Sequence, residues 1–143
     1  MAEDERKERL AHQIQRLSVA ERIKLAMLGG NEERGLLIKD SNREVVLAVL
    51  ENPRITDAEV EAIARNRSAL DDALRTIAKN REWMKNYSIQ LALVTNPKTP
   101  PGVSIRFVNN LRQRDLKLLE KNRGVPEVVR TAARRALKAK YPS

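Results

Sequence analysis

Leu50-Glu51-Asn52-Pro53-Arg54-Ile55-Thr56 and Val94-Thr95-Asn96-Pro97-Lys98-Thr99-Pro100 lie forty-four residues apart and follow one plan. In each, an apolar run ends at Asn-Pro, two or three turn residues follow, and a new helical pattern opens. Proline removes a backbone donor and restricts the residue before it, so neither run can continue through the pair as helix. The same stop recurs without proline. Asn52, Asn66, Asn80, Asn96, Asn110 and Asn122 each close a short apolar run, at spacings of 14, 14, 16, 14 and 12 residues. Asparagine tolerates the left-handed position just past a helix better than other non-glycine residues, so the ladder predicts helices of about ten residues with an Asn stop at each end.

The remaining punctuation agrees. Ser18-Val19-Ala20-Glu21 reads as a capping box, Thr56-Asp57-Ala58-Glu59 repeats it, and Ser68-Ala69-Leu70-Asp71 is a variant with Asp as the acid. Gly29-Gly30 reads as the stop of the helix that Ser18 starts. Between these signals Val45, Val46, Val49 and Leu50 form one stripe at helical spacing, Val60, Ile63 and Ala64 a second, and Leu70, Leu74, Ile77 and Ala78 a third. Strand signals are poor, with 3% aromatic residues and no Asn-Gly or Asp-Gly turn. The pattern predicts helices near 5–15, 18–28, 31–39, 43–51, 57–65, 69–79, 82–95, 101–110, 114–121 and 126–140, with a break in the seventh near Asn86-Tyr87.

Ten short helices joined by short turns, repeating at a fixed period, predict an all-α fold: a short right-handed α-solenoid of stacked helical pairs, HEAT/ARM-like. Residues 1–17 read as a charged N-terminal helix, cap or arm, and 18–143 as the helical-repeat domain. Over residues 31–140 the Asn-Pro breaks and short paired helices resemble the HEAT-like and leucine-rich-variant bacterial α-repeats. Some leucine-rich-variant proteins hold an iron–sulfur cluster on cysteines. This chain has no Cys, so that property does not carry over.

Composition narrows the function further. A chain of 143 residues fits one domain and can bury a core without disulfides or metal. The charged start, Met1 to Arg9, lacks the apolar core of a signal peptide, and no run reaches the length of a membrane span. A cytoplasmic protein is the expectation. The net charge of +9 is uneven: +1 over residues 1–30, −3 over 31–66, +3 over 67–99 and +8 over 100–143. Charge of that size either keeps a protein soluble or draws it to anionic partners.

Groups for catalysis are scarce. His12, the single histidine, lies among charged residues of the first helix, with no nucleophile or carboxylate pattern to join it. Asp71 and Asp72 are adjacent and so diverge by about 100° on a helix. No phosphate loop, dinucleotide fingerprint or zinc spacing occurs. Some HEAT-like DNA glycosylases use a Trp and a carboxylate in a basic cleft. Trp83 does sit beside Glu82, with Arg81 and Lys85 around it, but those enzymes hold more repeats than fit here. The sequence therefore predicts no catalysis, no cofactor and no metal.

Two surfaces remain as candidates. Asn80 to Tyr87 holds the only Trp, one of two Tyr and the widest step in the Asn ladder. Aromatic and Arg residues anchor many interfaces, so Arg81, Trp83, Lys85 and Tyr87 form a candidate partner-binding site, with core packing as the alternative for Trp83. In the last helix Arg130, Arg134 and Lys138 fall at i, i+4 and i+8 with Arg135 beside them, opposite an apolar face of Val129, Ala132, Ala133, Ala136 and Leu137. Arg112, Arg114, Lys117, Lys121 and Arg123 extend this anion or nucleic-acid patch if their helix packs alongside. The leading expectation is a non-catalytic adaptor whose partner is another protein. The rival is sequence-independent nucleic-acid binding through the basic third. Neither a membrane nor a small-molecule substrate is indicated.

Overall fold

The computed structural model describes residues 2–142, which fold into eleven helices with no strand among them. These are α1 (Ala2–Gln15), α2 (Val19–Leu28), α3 (Asn31–Leu37), α4 (Arg43–Leu50), α5 (Asp57–Arg65), α6 (Asp71–Lys79), α7 (Arg81–Met84), α8 (Tyr87–Thr95), α9 (Pro101–Val108), α10 (Gln113–Glu120) and α11 (Glu127–Lys140). The count exceeds the expected ten because the segment 82–95 is two helices. Asn86 makes the break: its side chain accepts from the Ile89 N–H at 3.3 Å and caps α8. None of the described helices is long and apolar enough to cross a membrane.

The chain divides into two compact units, Met1–Thr56 and Asp57–Ser143. In the first, α2 packs on α4, and Ala26, Leu37, Val45, Ala48 and Val49 are buried together with Ile14. Leu10 and Ile14 lay α1 on this core, so the charged first helix belongs to the first unit. The Arg22 guanidinium pairs with Asp40 at 2.9 Å. In the second unit α5 packs on α8, α8 on α9, and α11 on both α9 and α10. Val94, Val108, Leu111, Leu116, Leu119, Val125, Val129, Ala133 and Ala136 form its C-terminal core.

The Ser18 capping box is present as the sequence predicts. The Glu21 N–H donates to Ser18 Oγ at 3.1 Å, and the Ser18 N–H donates to Glu21 Oε1 at 2.9 Å. That backbone bond, with the Ser18 side chain second, holds the Glu21 carboxyl below its ordinary pKa. Ser68 does not cap. Helix α6 starts later, at Asp71, with Leu70 at the cap position and no side-chain bond there. The Ser68 N–H instead donates to Asn66 Oδ1 at 2.8 Å, so Ser68 belongs to the turn before.

The asparagine stops are real, but not for the expected reason: no residue in the described chain has positive φ. Four of the six share one side-chain arrangement, and Asn80 instead caps α7. Asn52, Asn66, Asn96 and Asn122 accept at Oδ1 from the N–H two residues on, at 2.8–2.9 Å. Their own carbonyls accept from the N–H three residues on, at 3.1–3.4 Å. Asparagine suits such a turn because its amide oxygen mimics a backbone carbonyl, and Pro53 and Pro97 pre-set φ at the second position.

Two of these side chains do more. Asn52 is buried, and its Nδ2 donates to the Ala26 and Gly29 carbonyls at 3.0 Å each. Asn96 is buried in the second unit and donates to the Ala64 and Asn66 carbonyls at 2.7 and 2.9 Å. The last carbonyls of a helix have no intrahelical donor. Here an asparagine ending one helix, α4 or α8, supplies it to the end of another, α2 or α5. The two Asn-Pro segments are thus the same clamp, built once in each unit.

Gly29 is likewise not left-handed: φ is −75° and ψ 173°. It is needed for space, because a Cβ there would stand 2.6 Å from the Leu25 carbonyl oxygen and 3.0 Å from Glu33 Cβ. Gly29→Ala is expected to cost about 1–3 kcal/mol, the range for overpacking against backbone. Gly35 lies inside α3, where a Cβ would meet nothing within 4 Å, and the same change there should gain about 0.5–1 kcal/mol. Thermal melts of the two variants should move in opposite directions.

Candidate functional site

Helices α10 and α11 pack closely, and their apolar residues decide which side chains are left facing water. Leu116 and Leu119 of α10 are buried against Val129, Ala133 and Ala136 of α11. Helical spacing then brings Lys117 and the α10 terminus, Lys121, to one wall of a surface groove. Arg134 and Lys138 of α11 form the other wall. The groove measures about 690 Å³, and Gln113, Leu137, Tyr141 and Pro142 complete its lining. Among the described residues that line it, Glu120 is the one carboxylate, 3.9 Å from Arg134 Nε. Lys117, Lys121, Arg134 and Lys138 are all exposed. Four cations facing one acid make a local positive field.

The rest of the predicted patch divides. Arg114, Arg123 and Arg135 are exposed, with Arg135 on the opposite flank of α11. Arg112 is exposed but occupied: its guanidinium lies 4.2 Å from the centroid of the Tyr87 ring. Arg130 leaves the stripe altogether. It is half-buried, and its Nη1 donates to the Val125 carbonyl at 2.5 Å and the Asn122 carbonyl at 3.4 Å. Two other arginines do the same: Arg22 donates to the Leu17 carbonyl and Arg34 to the Gly29 carbonyl, at 2.7 and 2.9 Å. All three reach back five residues, from the fourth position of a helix to the residue before its cap. That shared offset is the sequence signal that separates Arg130 from its surface neighbours.

The aromatic segment is divided too. Arg81, Trp83 and Lys85 belong to α7 and its end, where Asn80 Oδ1 accepts from the Trp83 N–H at 3.0 Å. Trp83 is half-buried, while Arg81 and Lys85 are exposed, with Lys85 3.1 Å from Glu82. Tyr87 instead ties α8 to the start of α10. Its hydroxyl donates to Asp115 Oδ2 at 2.6 Å and accepts from the Arg112 N–H at 2.9 Å. Burial, and then the bond to Asp115, raise its pKa above the ordinary tyrosine value. A folded pKa above the unfolded one means stability that is present below about pH 10 and lost as pH rises through the folded value. Tyr87→Phe should therefore cost about 1–2 kcal/mol at neutral pH and flatten the alkaline fall in stability, as read by urea unfolding at several pH values.

On the other flank of α11 lies a second groove, of about 650 Å³, between α9 and α11. Ile105, Val128, Ala132, Ala136 and Ala139 line it, with Glu127 and Arg135 among its polar residues. Ile105 and Val128 are exposed. Helix α11 is thus open on two flanks, one cationic and one apolar.

Sequence reasoning missed Tyr141, whose ring lines the cationic groove and is 40% exposed. A tyrosine just after Lys138 and Lys140, one turn from Leu137, was the available signal. His12 lies exposed on α1. No family profile, curated protein or solved structure matches the chain.

Proposed function

We propose that the chain is a non-catalytic binding module, a short right-handed α-solenoid of HEAT-like type, whose ligand is nucleic acid held through its phosphates. The repeated Asn clamp supports the solenoid reading. Each clamp fixes the end of one helix to the end of another within its own unit, and the two asparagines stand forty-four residues apart, a spacing in the range of helical repeats. The convergence of Lys117, Lys121, Arg134 and Lys138 on one groove carries the ligand assignment. Cations arranged this way bind phosphate through charge and release of counterions, which positions a strand without reading its bases. An absence of cysteine suits a reducing compartment, and the cytoplasm is the proposed location.

A protein–protein adaptor is the second reading, and the apolar α9–α11 groove with its exposed Ile105 and Val128 favours it. The Trp83–Tyr87 segment supports it less, because the Tyr87 hydroxyl and ring are already engaged by Asp115 and Arg112.

Fluorescence anisotropy with labelled random-sequence DNA and RNA tests the assignment. At about 50 mM salt the expected dissociation constant is about 10 μM or tighter, and nearly equal for unrelated sequences. No binding at that salt would overturn it.

A further inference from the structure

The groove has a chemistry that pure phosphate binding does not use. Its walls are cationic, but Leu137, Tyr141 and Pro142 give it an apolar side. The Tyr141 ring is 40% exposed just past the end of α11, on the same groove as Lys117, Lys121 and Lys138. Duplex nucleic acid turns its bases inward and offers a cationic surface only phosphate and sugar outside its grooves. A single strand offers both parts at once: phosphates for the walls and unstacked base faces for an aromatic ring. Proteins that bind single strands without sequence preference combine these two elements, a cationic groove along the backbone and a stacking platform.

We propose that the α10–α11 groove binds single-stranded nucleic acid, with Lys117, Lys121, Arg134 and Lys138 on its phosphates and Tyr141 stacked on a base. This rests on the polyanion reading above and specifies the strand state. Stacking on tyrosine is tolerant of base identity because every base has a π face. The site therefore prefers a strand with bases over one without, and single strands over duplex, while showing little sequence selectivity. Tyr141 suits the test because its exposed ring can be removed with little loss of core packing.

Anisotropy titrations of the full chain with three probes decide it: a random single strand, an abasic strand of equal length, and a random duplex. Wild-type protein should bind the single strand most tightly. Tyr141→Ala should weaken that binding about tenfold and leave the abasic strand unchanged, whereas Tyr141→Phe should restore it. Circular dichroism confirms that each variant is folded. Equal affinity for strands with and without bases, or no effect of Tyr141→Ala, would overturn the single-strand assignment and leave phosphate binding standing. Absence of binding to all three probes would remove both. Polyglutamate that displaces the single strand as effectively as unlabelled oligonucleotide would assign the groove to an acidic polypeptide and overturn the proposal.

Discussion

Asn96→Ala should lower the free energy of unfolding by about 3 kcal/mol, and Asn52→Ala by a similar amount. Asn96 is 3% exposed and makes three hydrogen bonds, donating to the Ala64 and Asn66 carbonyls and accepting from the Lys98 N–H. Each such bond contributes about 1 kcal/mol net, and a buried group left without its partner costs about 1–3 kcal/mol more. Ala64 is fully buried, so water does not readily replace the lost amide at its carbonyl. Asn66→Ala is the control. It removes the same turn-forming acceptor from an exposed residue and should cost about 1 kcal/mol or less. Urea unfolding followed by circular dichroism separates the cases. Equal losses at Asn66 and Asn96 would mean that only the turn matters and the clamp contributes nothing.

Reversing Lys117, Lys121 and Lys138 together to Glu should weaken nucleic-acid binding by about a hundredfold or more at low salt. The change takes the net charge from +9 to about +3 and puts carboxylates where phosphates would lie. All three lysines are exposed, so the fold should survive. Arg130→Gln is the opposite case. It should lower stability by about 1–2 kcal/mol through lost bonds to the Val125 and Asn122 carbonyls, and leave the affinity of the folded protein nearly unchanged. A patch read from helical spacing alone predicts the reverse order, with Arg130 central. The pair of variants therefore tests the groove against the stripe.

That contrast marks where the sequence stops being legible. Helix positions are readable because caps, prolines and apolar spacing are local, and even the break before Tyr87 shows in the Asn ladder. The work done by Asn52 and Asn96 does not, since their carbonyl partners lie 23–32 residues away and depend on which helices pack. Tyr87 is a similar case, with partners 25 and 28 residues on in α10 and its cap. Arg134 and Lys138 follow from spacing, and Lys117 from proximity. Only the packing of α10 on α11 puts them across one groove, and only it turns Arg130 away.

The groove's role rests most directly on the salt dependence of binding. The observed constant for a random single strand should be measured from about 50 to 200 mM salt. Four cations on phosphates predict a slope of log K against log salt near −3, at roughly −0.7 per phosphate on a single strand, falling to about −1 in the triple lysine reversal. A slope near zero, or one that the reversal leaves unchanged, would contradict binding in the α10–α11 groove.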